Sequence, residues 1–338
     1  MFREDFVWGV ASSAYQVEGT DAADGRGACV WDMFAADGRV FEHQNADTSC
    51  DHMHHYKEDI ALMRHLGIRA YRFSLNWARI LPEGTGRVNE KAIAMYRDMI
   101  LTMKENGITP YLTLFHWEFP QALYERGGWQ NPDVVQWFGE YAKVVAENFS
   151  DICEYFITIN EPQCVVGLGH LSGVHAPGVK LPVAQTFLVA HHLLMAHGQA
   201  VINLRRYAVR PVRIGFAPTG GVAYPYTDRP EDIEAAKKVY FGFYNPIDNW
   251  TWNVSWFSDP VFLGHYPEEG LKKFAPYLPE ITQEDMELIY QPLDFMGQNI
   301  YNGYYVRAGE NGEPEFVDRE PGFPKTGADW PVTPEAFY

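Results

Sequence analysis

The sequence predicts an α/β fold built on a parallel sheet, and two observations carry that prediction. Short apolar, β-branched runs alternate with amphipathic helical stretches six times along the 338 residues, at spacings suited to right-handed crossovers. Five of the predicted strands also end in polar or charged residues that a core would not choose. In parallel β/α architectures the C-terminal ends of the strands are where the chemistry is done. No linker, finer repeat or low-complexity tract interrupts the chain, so one domain over residues 1–338 is the simplest organisation.

The first strand is Phe6 to Ala11. A small-residue loop, Ser12 to Gly19, follows it and carries Gln16 and Glu18. A Gly- and Asp-containing insertion then runs to about Cys50. The first long helix covers about Asp51 to Leu66. Tyr56, Ile60 and Met63 recur at helical spacing, Lys57, Glu58 and Asp59 lie off that stripe, and Gly67 ends it. The second strand, Arg69 to Leu75, holds Arg72. A helix from about Asn89 to Asn106 buries Ile93, Tyr96, Ile100 and Met103, with Asn106-Gly107 as its stop.

The third strand, Thr109 to Phe115, runs into His116-Trp117-Glu118, and a helix from Asp133 to Phe149 follows. The fourth, Tyr155-Phe156-Ile157-Thr158-Ile159, reads as buried on both faces. It closes on Asn160 and Glu161, and Pro162 then ends it because proline cannot donate to a ladder. A long helix spans Val183 to Tyr207 and leads to the fifth strand, Val212 to Pro218. Residues 230 to 290 are helical and loop-rich, and Leu293 to Tyr301 is the sixth strand. Six units fall short of the eight that close a barrel.

The strand-end residues are Gln16 and Glu18, then Arg72, then His116, Trp117 and Glu118, then Asn160 and Glu161, and lastly Asn299 and Tyr301. Any one could be structural: a lone buried arginine usually pairs with a carboxylate, and a lone histidine more often packs than reacts. Five sets on one face are harder to explain, because burial without a ligand or mutual pairing costs roughly 1–3 kcal/mol per unsatisfied group. The chemistry they suggest is glycoside hydrolysis. It needs two carboxyls flanking the bond, about 5–5.5 Å apart when the configuration is retained. One must stay protonated near neutral pH. Glu161 is the candidate acid/base, and Asn160 beside it suits a sugar hydroxyl.

Aromatic residues make up 15% of the chain, with 10 Trp and 20 Tyr, which fits a site where apolar sugar faces lie on rings. The net charge of −17 argues against nucleic acid and against an anionic membrane surface. Cys29, Cys50, Cys153 and Cys164 are scattered without a CxxC pair, as in reduced cytosolic thiols. The polar start Met1-Phe2-Arg3-Glu4-Asp5-Phe6 suits no signal peptide, and no apolar run is long enough to span a membrane, so a cytoplasmic protein is expected. Cys50, His52, His54 and His55 are metal-ligand types, but they open a polar helix and read as solvent-facing or locally packed.

Taken together and in order, several motifs resemble glycoside hydrolase family 1, the β-glucosidase family. They are Phe6-Val7-Trp8-Gly9 with Tyr15-Gln16-Val17-Glu18-Gly19; Tyr56-Lys57-Glu58-Asp59; Tyr71-Arg72-Phe73-Ser74; Trp77-Ala78-Arg79-Ile80-Leu81-Pro82; Phe115-His116-Trp117; Thr158-Ile159-Asn160-Glu161-Pro162; His175-Ala176-Pro177-Gly178; and Asp294-Phe295-Met296-Gly297 with Asn299 and Tyr301. The resemblance implies a (β/α)8 TIM barrel, with about six of the eight units in this chain. It implies a retaining β-glycosidase acting on terminal β-D-glucosyl residues through a glycosyl-enzyme intermediate, with Glu161 as general acid/base. Gln16, His116, Trp117 and Asn160 would bind the glycone. Arg72, Asn299 and Tyr301 would surround the nucleophile, with Arg72 and Tyr301 holding it ionised. No metal or organic cofactor is implied. The partner is a small β-glucoside or oligosaccharide, with no nucleic acid and no membrane.

Some positions depart from the family pattern. A branch acting on 6-phosphorylated sugars tends to have Asn and Phe where this chain has Tyr15 and Trp117, which favours unphosphorylated β-glucosides. Glu118 and Phe119 replace the commoner Asp-Leu, and Gln163 stands where an aromatic usually follows Asn-Glu-Pro. The family nucleophile, a Glu in an Ile/Val-Thr-Glu-Asn-Gly motif, has no counterpart. Glu310-Asn311-Gly312 is a decoy: it lies between Tyr304-Tyr305-Val306 and Glu315-Phe316-Val317 and reads as an exposed hairpin turn. The expectation is a C-terminally incomplete barrel, inactive alone, completed by a C-terminal fragment or otherwise found as a homo-oligomer. The alternative is a non-catalytic sugar-binding chain.

Overall fold

The computed structural model describes residues 2–20 and 24–337. Six strands, β1 (Gly9–Ala11), β2 (Ala70–Ser74), β3 (Thr109–Phe115), β4 (Tyr155–Asn160), β5 (Arg213–Ala217) and β7 (Phe295–Met296), form one sheet in that order. Every pairing in it is parallel. Residues that face the helices are the most apolar: Leu112, Leu114, Phe156, Ile214 and Phe216 are fully buried. The helices Val134–Phe149 and Val183–Tyr207 pack against each other outside β4, and their buried stripes follow from apolar residues at helical spacing.

The sheet curls. The Tyr111 ring of β3 stacks on Tyr155 of β4 at 4.5 Å and meets Phe295 of β7 edge-on at 6.2 Å, although β3 and β7 are separated by two strands. Phe295 reaches the interior because Gly215 opposite it has no side chain; a Cβ there would stand 2.4 Å from the ring. This is an open, curled β/α arrangement of six strands with its gap between β7 and β1. Both open edges carry exposed apolar residues, Phe6, Val7 and Trp8 at one and Met296 and Trp330 at the other.

Several elements differ from the sequence expectation. The loop after β1 contains a helical turn, Ala14–Val17, and the insertion before Cys50 contains a helix, Val30–Ala36. The sixth strand shrinks from Leu293–Tyr301 to Phe295–Met296, with only an isolated bridge, Thr219 to Asn299, continuing it. The first strand shrinks likewise to Gly9–Ala11. Each lies at an edge of the sheet and is paired on one side only, so nothing holds the full run extended. A second sheet was not anticipated: β6 (Val222–Pro225) pairs parallel with β8 (Gly303–Ala308). The expected hairpin is present, with β8 antiparallel to β9 (Pro314–Val317). Gly312 sits in its turn at φ +73°, and Glu310 is exposed there.

Candidate active site

The site is built on a fault in β4. Ile157 pairs with Gly215 and Asn160 with Ala217, so four residues on β4 match three on β5. Strict alternation would send Asn160 outward with Phe156 and Thr158, and Thr158 does face out, 2.7 Å from His197 on the outer helix. The bulge reverses the phase and turns Asn160 into the barrel mouth. Glu161 follows in the left-handed region, at φ +48° and ψ 68°, with its N–H donating to Ala217 O at 2.8 Å. Pro162 then starts the helix Pro162–Val166. A non-glycine residue in this region costs of order 1–3 kcal/mol and persists where the surroundings over-determine it. Trp117, at the end of β3, is a second case, at φ +87°.

Side chains from four strands meet here. Arg72 of β2 donates from Nε to Thr113 Oγ1 at 3.1 Å, from Nη1 to Asn299 Oδ1 at 3.1 Å and from Nη2 to Asn160 Oδ1 at 2.5 Å. Asn299 donates to Asn160 Oδ1 at 2.9 Å and to Glu161 Oε1. The Tyr301 hydroxyl donates to the same Oε1 at 3.4 Å. The Cys164 thiol donates to Oε2 at 3.1 Å. Glu161 itself is only 4% exposed. Asn160 Nδ2 lies 3.2 Å from His116 Nε2, and Trp117 Nε1 donates to Asn160 O at 3.0 Å. Trp117, His175, Trp31 and Tyr15 then form a chain of rings with centroids 5.4–5.8 Å apart, an aromatic rim beside the carboxyl.

Burial dominates the electrostatics. It lowers the Arg72 pKa, against the pull of Glu161 and Tyr301. It pushes the Tyr301 hydroxyl up to about 12, helped by the Glu161 carboxylate. It drives His116 down to about 3, with Arg72 adding to the effect, so the imidazole is neutral. His116 is half-buried as a residue, but its Nδ1 is enclosed without a partner, leaving a polar atom for a ligand to satisfy.

Seven of the eight site residues expected from sequence therefore form one connected cluster: Arg72, His116, Trp117, Asn160, Glu161, Asn299 and Tyr301. Gln16 does not join it. It is exposed on its helical turn, and no hydrogen bond links it to the cluster. Two other flagged carboxyls turn away. Glu18 is buried between Arg79 Nε at 3.2 Å and the Tyr96 hydroxyl at 2.7 Å. Glu118 accepts from the Tyr15 N–H at 2.8 Å, and burial pushes its pKa up to about 8. Gln163 is fully buried, with Oε1 on the Thr219 N–H at 3.2 Å, so it ties this loop to the end of β5. Sequence reasoning missed Thr113 and Cys164. Thr113 is a hydroxyl two residues from the end of a strand that is otherwise apolar there, and Cys164 lies one helical turn beyond Glu161; both signals were readable.

His52, His54 and His55 each pair with a nearby carboxylate: Asp59 at 2.6 Å, Asp51 at 2.5 Å and Glu58 at 2.8 Å. Among the described residues no group of three or more His, Cys, Asp or Glu is placed to hold a metal ion.

A sequence profile described as Glycosyl hydrolase family 1 matches residues 1–338. The chain belongs to glycosyl hydrolase family 1. Its relatives in that family include a 1,4-beta-D-glucan glucohydrolase of Thermotoga neapolitana, 41% identical over 338 residues, which cover all of this chain and 77% of that protein. Beta-glucosidase A of Thermotoga maritima is 41% identical over 340 residues, covering all of this chain and 73% of its own length. The solved structure of a Thermotoga maritima beta-glucosidase in complex with glucoimidazole superposes with a TM-score of 0.87, covering 99% of this chain and 73% of that one. Family 1 membership and this superposition place the curled sheet within a (β/α)8 barrel. The chain spans about three quarters of the length of these relatives.

Proposed function

We propose that this family 1 chain carries the acid/base half of a retaining β-glucosidase. In the first step Glu161, protonated, gives its proton to the glycosidic oxygen while a second carboxylate attacks the anomeric carbon. The C–O bond breaks, the aglycone leaves as an alcohol, and a glycosyl-enzyme ester forms. In the second step Glu161, now ionised, takes a proton from water as the water attacks the same carbon and releases the sugar. Asn160 and His116 read sugar hydroxyls, the aromatic rim receives the apolar sugar face, and Arg72 and Tyr301 steady the attacking carboxylate. The second carboxyl comes from two further β/α units that close the barrel between β7 and β1.

The observation that carries this reading is the carboxyl of Glu161, set in a left-handed turn at a strand end and ringed by Asn299, Tyr301 and Cys164. The relatives' names, beta-glucosidase and glucan glucohydrolase, support the substrate class. The test uses the closed barrel and aryl β-glucosides of different leaving-group ability. Glu161→Gln should slow poor leaving groups far more than good ones, because only the former need the proton. Equal losses on both would remove Glu161 from the acid role.

One observation favours a second reading for these 338 residues alone: Glu161 is the only carboxylate in the hydrogen-bonded cluster among the described residues. On that reading the chain binds a sugar without cleaving it. Calorimetry with glucose beside a chromogenic β-glucoside assay separates the two. The described structure has no helix long and apolar enough to cross a membrane. Four free thiols support a cytoplasmic setting.

A further inference from the structure

The reading above gives no part to Cys164, yet this side chain touches the reacting carboxyl. Cys164 lies three residues past Glu161, and the left-handed turn at Glu161 brings the two side chains face to face. Its Sγ stands 3.1 Å from Glu161 Oε2, while Asn299 and Tyr301 both address Oε1. The thiol is 6% exposed and lines an apolar crevice with Trp117, Trp129, Val165 and His175, with room for about one water (≈ 20 Å³). No other acceptor competes for its proton among the described residues.

We propose that the Cys164 thiol is a positioning residue for Glu161: it donates its S–H to Oε2 and fixes the carboxyl plane against the donors on Oε1. The proposal rests on the acid/base role given to Glu161 above. Burial and the facing Glu161 carboxylate both raise the thiol's pKa, so it stays an S–H donor. The other charged or titratable groups facing Glu161 are Arg72 from β2, Tyr301 from the segment after β7 and, across Asn160, neutral His116 from β3. From β5 the neighbour is Ala217, whose carbonyl accepts from the Glu161 N–H and which does not titrate.

Two measurements test this. In the closed barrel, Cys164→Val keeps the volume and loses the donor, while Cys164→Ser keeps a donor. With an aryl β-glucoside of poor leaving-group ability, kcat/KM should fall about threefold further than with a good one in the valine variant, the loss expected for one weak donor that places the proton. The serine variant should show a smaller difference. A purely structural role would lower both substrates alike in both variants, and that result overturns the proposal. On the 338-residue chain itself, the infrared difference between wild type and Cys164→Val isolates the Cys164 S–H stretch. Glu161→Gln should move that band toward the position of a weakly bonded thiol. A band that ignores Glu161→Gln overturns the contact whether or not Glu161 is the catalytic acid, whereas failure of the acid role alone would show only in the leaving-group series.

Discussion

Replacing Glu118 with glutamine should change how stability depends on pH. The Glu118 side chain is 1% exposed, its Oε1 accepts from the Tyr15 N–H, and its Oε2 has no partner. Burial raises its pKa from 4.5 to about 8. The folded carboxyl thus keeps its proton through a window in which the unfolded chain has released it. Folded protein binds more protons there, so stability from this group is fully present below about pH 4.5 and is lost as pH rises through about 8. At 1.36 kcal/mol per unit, the loss between about pH 5 and about pH 7.5 comes to about 3 kcal/mol. Glu118→Gln removes the titration and keeps the shape. Urea melts at the two pH values, for both proteins, give the difference directly. Wild type should lose about 3 kcal/mol more than the variant across that interval. Parallel pH dependences would refute the argument, since they would mean that Glu118 titrates alike in both states.

Arg79→Met should be among the costliest single changes near the site. It strips the charge partner from Glu18 and leaves a buried carboxylate with only the Tyr96 hydroxyl, a loss of about 3–5 kcal/mol in the urea midpoint analysis. Adding Glu18→Gln should recover part of it, and a double variant as unstable as the sum of the singles would contradict the pairing. For His116, whose pKa is depressed from 6.5 to about 3, stability tied to the neutral ring is present above 6.5 and lost as pH falls toward 3. Its imidazole resonances should stay flat in an NMR titration from about pH 5 to about pH 8, and a midpoint near its ordinary value would show that the ring is not desolvated.

The sequence revealed elements where a periodic face meets a clear stop. The helix Val183–Tyr207 and the strand Thr109–Phe115 have the bounds expected of them. Strand ends were legible because polar residues interrupt apolar runs, and that signal found Arg72, Asn160, Glu161, Asn299 and Tyr301. What stayed hidden depends on pairing. This bulge is a count of four residues against three on a neighbour, so the turn that aims Asn160 inward has no trace in β4 alone. The shortening of β1 and β7 reflects unpaired edges, not their composition. Gln16 looked equivalent to the other strand-end groups, yet its loop coils into a helical turn and leaves it exposed. Glu18 and Glu118 carried the same polar signal but serve the packing of that loop.

The claim that Glu161 is the proton-transfer group of a retaining enzyme can be tested by replacing its second-step role. In the closed barrel, Glu161→Ala should hydrolyse an activated aryl β-glucoside slowly, because the glycosyl-enzyme ester has no base to activate water. Added azide needs no base, so it should restore turnover and yield the β-glucosyl azide, with configuration retained. A variant whose rate ignores azide, or that gives the α-azide, contradicts the assignment.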